Sequence, residues 1–327
     1  MFALRVKYWW LETKESAMRT IVVACVVLAA SWAGAEPFVQ RDANTLPVMG
    51  SLVELSGWWA ASRAAFGSDR SLLPFPGTRG MALSRGVTLE ARLGLPWNME
   101  GYVTGGYLLQ EVKVDRGLSA SAFLGSDVAQ GESPADVALM LKHAFLKGKG
   151  TTLAYEYGVT LPAATGPDRA DHFYDRLGSG CFGFPMGLRL AHEQGMMRAY
   201  ASVFWTVLAP RKVDEWDGVK LPSKVKFSPG DSYWFGMGVE AALEHFSWSL
   251  EMINRVSGRD RGPVVEAVND AGIGSELMPR TESLEVVPAL ILPAGKRAEL
   301  RVAASLPLGG RSVYQMFGVC AALRRTF

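Results

Sequence analysis

The chain has 327 residues, a formal net charge of +2, 49% hydrophobic residues and a mean hydropathy of +0.10. That length suits one large all-β domain or two ordinary ones, and the near-neutral balance argues against nucleic acid as main partner, since phosphate binding needs a basic stripe. A polytopic helical protein is excluded too: the one stretch apolar enough for a helix in lipid, Ile21–Ala33, has about 13 residues where ~20 are needed.

That first stretch predicts a signal peptide. Arg19 supplies the positive n-region, Ile21–Ala30 the apolar h-region, and Ala33, Gly34 and Ala35 the small-residue cleavage site. Met18 is an alternative start to Met1. Residues 1–35 are then extension and signal, cleaved after Ala35, and the mature chain begins at Glu36. Residues 36–48 form a short periplasmic N-terminal segment. Cys25 sits inside the h-region without a lipobox. The mature chain keeps Cys181 and Cys320, which could pair in an oxidising periplasm but make no disulfide framework.

From residue 49 onward the recurring signal is alternation at period two, broken by Gly, Pro, Asn and Asp. Leu153, Tyr155, Tyr157, Val159 and Leu161 alternate with Thr152, Ala154, Glu156, Gly158 and Thr160. Ala199, Ala201, Val203, Trp205 and Val207 alternate with Arg198, Tyr200, Ser202, Phe204 and Thr206. The predicted strands are 49–64, 80–95, 98–113, 135–147, 150–162, 180–193, 196–208, 231–244, 245–256, 281–293, 296–307 and 312–327. Tight turns fall at 96–98, 147–150, 193–195, 244–245 and 293–296, and long linkers between them near 65–80, 114–134, 163–179, 209–230 and 257–280.

A soluble sandwich also alternates, with its apolar face inward. Three features favour lipid outside instead: an export signal, turns that alternate short and long along the whole chain, and a last strand ending on an aromatic. Phe317, Val319, Ala321 and Leu323 lead at period two to Phe327, which resembles the signal read by the outer-membrane assembly machinery; Arg325 interrupts that row. The expectation is an all-β, transmembrane, antiparallel up-and-down β-barrel of about 12 strands over residues 49–327, in the outer membrane of a Gram-negative bacterium with its tight turns in the periplasm.

Several segments resemble one family, the outer-membrane transporters of the MetA-pathway of phenol degradation group. They are Gly86–Asn98 (GVTLEARLGLPWN), Asp136–Lys142 (DVALMLK), Gly158–Gly166 (GVTLPAATG), Leu177–Gly180 (LGSG), Phe184–Leu190 (FPMGLRL) and Tyr200–Thr206 (YASVFWT). They cover roughly residues 80–327 in order. Cys181 and Phe182 stand where small polar residues are expected after the Gly-Ser-Gly. The resemblance implies passage of small aromatic or hydrophobic solutes, with outer-membrane lipid, the assembly machinery and the solute as partners. It gives no catalytic residue and no cofactor. The alternative from another class is a structural or adhesive barrel whose long outer loops carry the function.

On the non-apolar face lie charges of both signs. Glu90, Arg92, Lys142, Glu156, Arg198, Glu240, Glu299 and Arg301 are the candidates for a charged constriction, with Asp136, Arg189, Glu251, Glu285, Arg297 and Arg324 on the same face. They can be a selectivity lining or ion pairs that fill a narrow barrel. Inward placement follows because Arg or Lys facing lipid costs about 2–4 kcal/mol at the midplane. No two of His143, His172, His192 and His245 stand at metal-ligand spacing, so no metal and no catalysis are expected of them. The acidic run with Asp168, Asp171 and Asp175 lacks the glycine hinge of a Ca²⁺ loop. Trp97, Tyr102, Trp205, Tyr233, Trp234, Phe246 and Trp248 suit interfacial girdles, and Trp58 and Trp59 either face.

Overall fold

Alternating residues can bury one face only if the sheet finds something to cover it, and here the sheet covers itself by closing. A computed structural model of the chain describes residues 43–66, 70–74, 81–113, 128–164, 180–216, 220–259, 261, 280–311 and 313–327. The signal segment, Glu36 and the acidic run with Asp168 and His172 lie outside them. Twelve long strands form the barrel: β1 (Ser51–Ser62), β2 (Met81–Leu95), β3 (Met99–Lys113), β4 (Val137–Gly148), β5 (Thr151–Leu161), β6 (Gly183–Gln194), β7 (Met197–Leu208), β8 (Ser232–Ala242), β9 (Ser247–Ser257), β10 (Thr281–Pro293), β11 (Ala298–Arg311) and β12 (Phe317–Thr326). Each pairs antiparallel with its neighbours in sequence, and β12 pairs with β1 from Leu52 opposite Thr326 to Ala61 opposite Phe317. Each of the twelve barrel strands is thus paired on both sides, as a bilayer requires.

The hairpin turns at one end are short because their residues accept the twist. Lys149 and Gly150 have φ of 50° and 78°, both positive, which matches the favoured two-residue hairpin. A side chain at Gly150 would also meet the Glu193 carbonyl at 2.4 Å. Trp97 and Asn98 take φ of 58° and 56° in the β2–β3 turn, and Trp97 stands out into the surroundings, 82% exposed.

At the other end the predicted linkers carry extra pairing. Val128–Pro134 extends the line of β4 and pairs with the outer half of β3, Arg211–Trp216 pairs with Lys220–Phe227 beyond β7 and β8, and Ala64–Phe66 pairs with both Leu72–Pro74 and Val313–Tyr314. Most of those stretches fall in the predicted linkers, although Ala64, Val313 and Tyr314 lie within predicted strands; antiparallel strands simply continue pairing past the membrane where the chain doubles back.

The two faces separate as their chemistry demands. Leu89, Leu139, Tyr157, Leu188, Val203, Phe235, Leu250, Val302 and Val319 are exposed on the outside, while Glu156, Arg189, Lys142 and Glu251 are buried inside. A wall that exposes its large apolar side chains and buries its ions is that of a barrel in lipid. Phe327 closes the chain with its ring 55% exposed, and Arg325, which breaks the apolar row, sets its guanidinium 5.0 Å from that ring.

Candidate functional site

Inside the barrel, β2 to β6 contribute a ladder of buried ion pairs. Glu90 accepts from Arg92 Nε at 2.5 Å; Arg92 Nη1 reaches Glu100 Oε1 at 3.2 Å; Lys142 Nζ lies 3.0 Å from the same oxygen. Glu156 takes Arg189 in two-pronged fashion, Nε at 2.5 Å and Nη2 at 3.1 Å, and accepts from the Tyr102 hydroxyl at 2.7 Å. Thr104 donates to Glu90 at 2.8 Å. The strand register builds this ladder: Lys142 stands opposite Glu100 on one side and Glu156 on the other. Three acids and three bases balance, so burial leaves no net charge stranded; an unpaired buried ion would cost several kcal/mol.

The opposite wall is looser. Arg301 Nη2 bonds Glu251 at 2.5 Å and Ser249 at 2.9 Å, Arg255 pairs with Glu285 at 2.7 Å, and Arg324 pairs with Glu299 at 3.2 Å. Arg198 lies 3.5 Å from Glu193, with Glu240 as its register partner on β8.

Ahead of β1, residues 43–46 turn into the tight-turn end of the lumen and are held there. Ala43 packs against Ala144, Ala154 and Ala191, three inward alanines on adjacent strands. The Asn44 carbonyl accepts from Lys142 at 2.7 Å, its side-chain oxygen accepts from Thr152 at 2.7 Å, and its amide donates to Glu193 at 3.2 Å. The Leu46 amide donates to Glu100 at 2.9 Å. Two members of the ladder therefore also hold the N-terminal segment.

Toward the long-loop end the lining becomes aromatic and apolar. Trp58 packs with Cys320 and Leu108, and Tyr102, Met140 and Phe204 form a second cluster with Trp234 beside it. These large side chains lie where the wall has none: a Cβ on Gly86 would stand 2.5 Å from Trp58, one on Gly158 2.5 Å from Met140, and one on Gly187 2.7 Å from Phe204.

Of the eight predicted constriction residues, the structure joins Glu90, Arg92, Lys142 and Glu156 in one network. It places Arg301 on the far wall and Arg198, Glu240 and Glu299 near the tight-turn rim. Reasoning from sequence missed Glu100, the acid that links Arg92 to Lys142. Its signal was available: the tight turn at Pro96–Asn98 pairs Gly94 with Glu100 and so puts Glu100 on the face of Arg92. Arg189 is on the predicted inner face, yet its bidentate grip on Glu156 is geometric, since its strand partner on β5 is Ala154 rather than Glu156. Two aromatics move: Tyr102 and Trp234, expected in girdles, face inward, because parity rather than nearness to a strand end decides the face. Trp97, Trp205, Tyr233, Phe246 and Trp248 are exposed as girdle residues are. Cys181 and Cys320 are both buried, and no disulfide joins them.

His143 and His192 each bond a hydroxyl that is not part of the ladder. His143 meets the Tyr155 hydroxyl at 3.2 Å and His192 the Thr151 hydroxyl at 2.9 Å. Among the described residues no group of three or more His, Cys, Asp or Glu side chains could hold a metal ion. At the outer rim, Asp136 accepts from the amides of Ala163 and Ala164 at 3.0 and 2.9 Å; burial nevertheless holds its carboxyl above the usual carboxylate range. A recess of about 730 Å³ lies over Gly101 on the outer wall, among Leu93, Leu95, Val103, Leu139 and Leu141, and so belongs to the lipid side.

No protein-family model matches the chain, and no curated protein matches its sequence. Among solved structures it is similar to the COG4313 outer membrane channel from Pseudomonas putida F1, with 12% identity over 89% of this chain and 100% of that one, at a TM-score of 0.67. The translocator domain of the autotransporter NalP from Neisseria meningitidis gives 9% identity, 97% and 98% coverage and a TM-score of 0.47. The Ralstonia pickettii toluene transporter TbuX gives 9% identity, 86% and 90% coverage and a TM-score of 0.39. Closure of twelve strands, an apolar exterior and this likeness agree: the chain has the fold of an outer-membrane β-barrel channel.

Proposed function

We propose that the protein is an outer-membrane channel for small aromatic or hydrophobic solutes, of the kind grouped with the MetA-pathway of phenol degradation. The observation that carries this is the inner wall itself. Barrel lumens are ordinarily polar, whereas here Trp58, Leu108, Met140, Phe204 and Trp234 line the outer half. The likeness to a barrel that is itself an outer membrane channel supports the reading.

In this reading a solute enters from the long-loop side, passes the rings, and meets the ladder of Glu90, Arg92, Lys142 and Glu156 as the constriction. Arg198, Glu240, Glu299 and Arg301 continue the charged lining towards the periplasm. The N-terminal segment, bonded to Lys142 and Glu100, narrows the exit. Phe327 is the residue the assembly machinery reads.

Purified protein in planar bilayers tests this. Stepwise ion currents that a small apolar solute interrupts are the expected result. A silent protein whose liposomes take up no solute would leave a structural or adhesive barrel with functional outer loops.

A further inference from the structure

The lumen contains one parallel stack of rings. Phe204 and Trp234, register partners on β7 and β8, lie 3° from parallel with centroids 4.9 Å apart. The Arg189 guanidinium carbon is 4.6 Å from the Phe204 centroid and 6.0 Å from that of Trp234. Phe204 is buried, whereas Trp234 is half-buried, and its neighbours Tyr233 and Phe235 are exposed on the outer face. The free surface of Trp234 therefore faces the lumen.

Backbone geometry fixes how that surface is presented. A Cβ at Gly236 would lie 2.8 Å from Trp234 Cζ3, and a Cβ at Gly187 2.7 Å from Phe204, so the stack takes its place only because glycine leaves room. Arg189 cannot swing away, since Glu156 holds two of its nitrogens. A fixed cation against one part of the stack draws π-electron density towards itself. The lumen side of the stack then favours a flat, electron-rich partner over a puckered saturated one of the same size.

We infer that Trp234 is a selectivity element: a stacking subsite for uncharged single-ring aromatic molecules. The subsite rests on the reading of the lumen as a pathway only for its effect on passage; binding itself does not. Benzyl alcohol and cyclohexylmethanol share a hydroxymethyl group and a six-membered ring, so they isolate aromaticity. Calorimetric titration of the detergent-solubilised full chain with each should show benzyl alcohol bound roughly three- to tenfold more tightly. The same ratio should appear in the concentrations that half-block the current in planar bilayers.

Trp234→Leu should bring both ratios to about one, Trp234→Tyr should keep most of the preference, and Phe235→Leu, facing out, should leave it unchanged. Equal binding of the two alcohols by the unaltered chain overturns the subsite, as does a preference that survives Trp234→Leu. If the preference is seen by calorimetry and no current exists, the subsite stands and the channel reading falls. If current flows and both alcohols block it alike, the channel stands and the subsite falls.

Discussion

Arg189 grips Glu156 with two nitrogens although the register sets it beside Ala154, so the pair reaches diagonally across the β5–β6 hairpin. Both side chains are almost wholly buried. Removing one partner strands the other charge at about 3–5 kcal/mol, less if water follows it into the lumen. Glu156→Gln and Arg189→Met should each lower the unfolding free energy in micelles by an amount of that order. The double variant should regain part of the loss. Additive losses in denaturant titrations would show that the two do not act as a pair.

Trp58 over Gly86 offers a packing test free of charge effects. A methyl at Gly86 would stand 2.5 Å from both Trp58 and the Tyr107 carbonyl, one of which is backbone and cannot step aside. Gly86→Ala should cost about 1–3 kcal/mol through overpacking. Gly148→Ala, with nothing within 4 Å of the added carbon, should stay within roughly 0.5 kcal/mol. Melting curves of the two variants side by side give the comparison.

Ala43 seats on Ala144, Ala154 and Ala191, a floor with no room for a larger side chain. Ala43→Phe should expel the segment, and Asn44→Ala should weaken its hold by about 1 kcal/mol through the lost bonds to Thr152 and Glu193. Digestion by a protease added to proteoliposomes should cut the expelled segment and spare the native one. Equal resistance in both would mean that the seat does not hold it.

Asp136 gives the pH dependence. Burial holds its carboxyl above the usual carboxylate range while its oxygen caps two amides, so ionisation is harder in the fold than in the unfolded chain. A raised folded value means that its contribution to stability is present at low pH and declines as pH rises through that value. Asp136→Asn keeps the acceptor and should lose the decline. Asp136→Ala strands two amides and should cost about 1–3 kcal/mol at every pH. Stability measured from acid to neutral pH separates the two variants.

Most of the barrel was legible because period two and turn length are local signals. Every one of the twelve predicted strands is present, most within about two residues of their ends, and the inner face of β5 and β7 follows directly from Glu156 and Arg198. What the sequence could not supply was register. The joining of Glu100 to Lys142 and the diagonal reach of Arg189 each depend on which residues stand opposite across strands. The seat of Ala43 depends on three alanines that look unremarkable one at a time. The charged candidates divided for the same reason: parity told that Arg301 faces inward, while only the register of β9, β10 and β11 put Glu251, not Glu299, beside it.

Whether the lumen conducts is decided most directly by single-channel recording of the native chain beside Lys142→Met and Glu100→Gln under a salt gradient. If ions pass the ladder, removing the buried cation should shift the reversal potential towards cation selectivity and removing the buried anion should shift it the other way, since the lining sets the electrostatic barrier. Currents whose selectivity is the same in all three proteins, or no current in any, would contradict a pathway through the ladder.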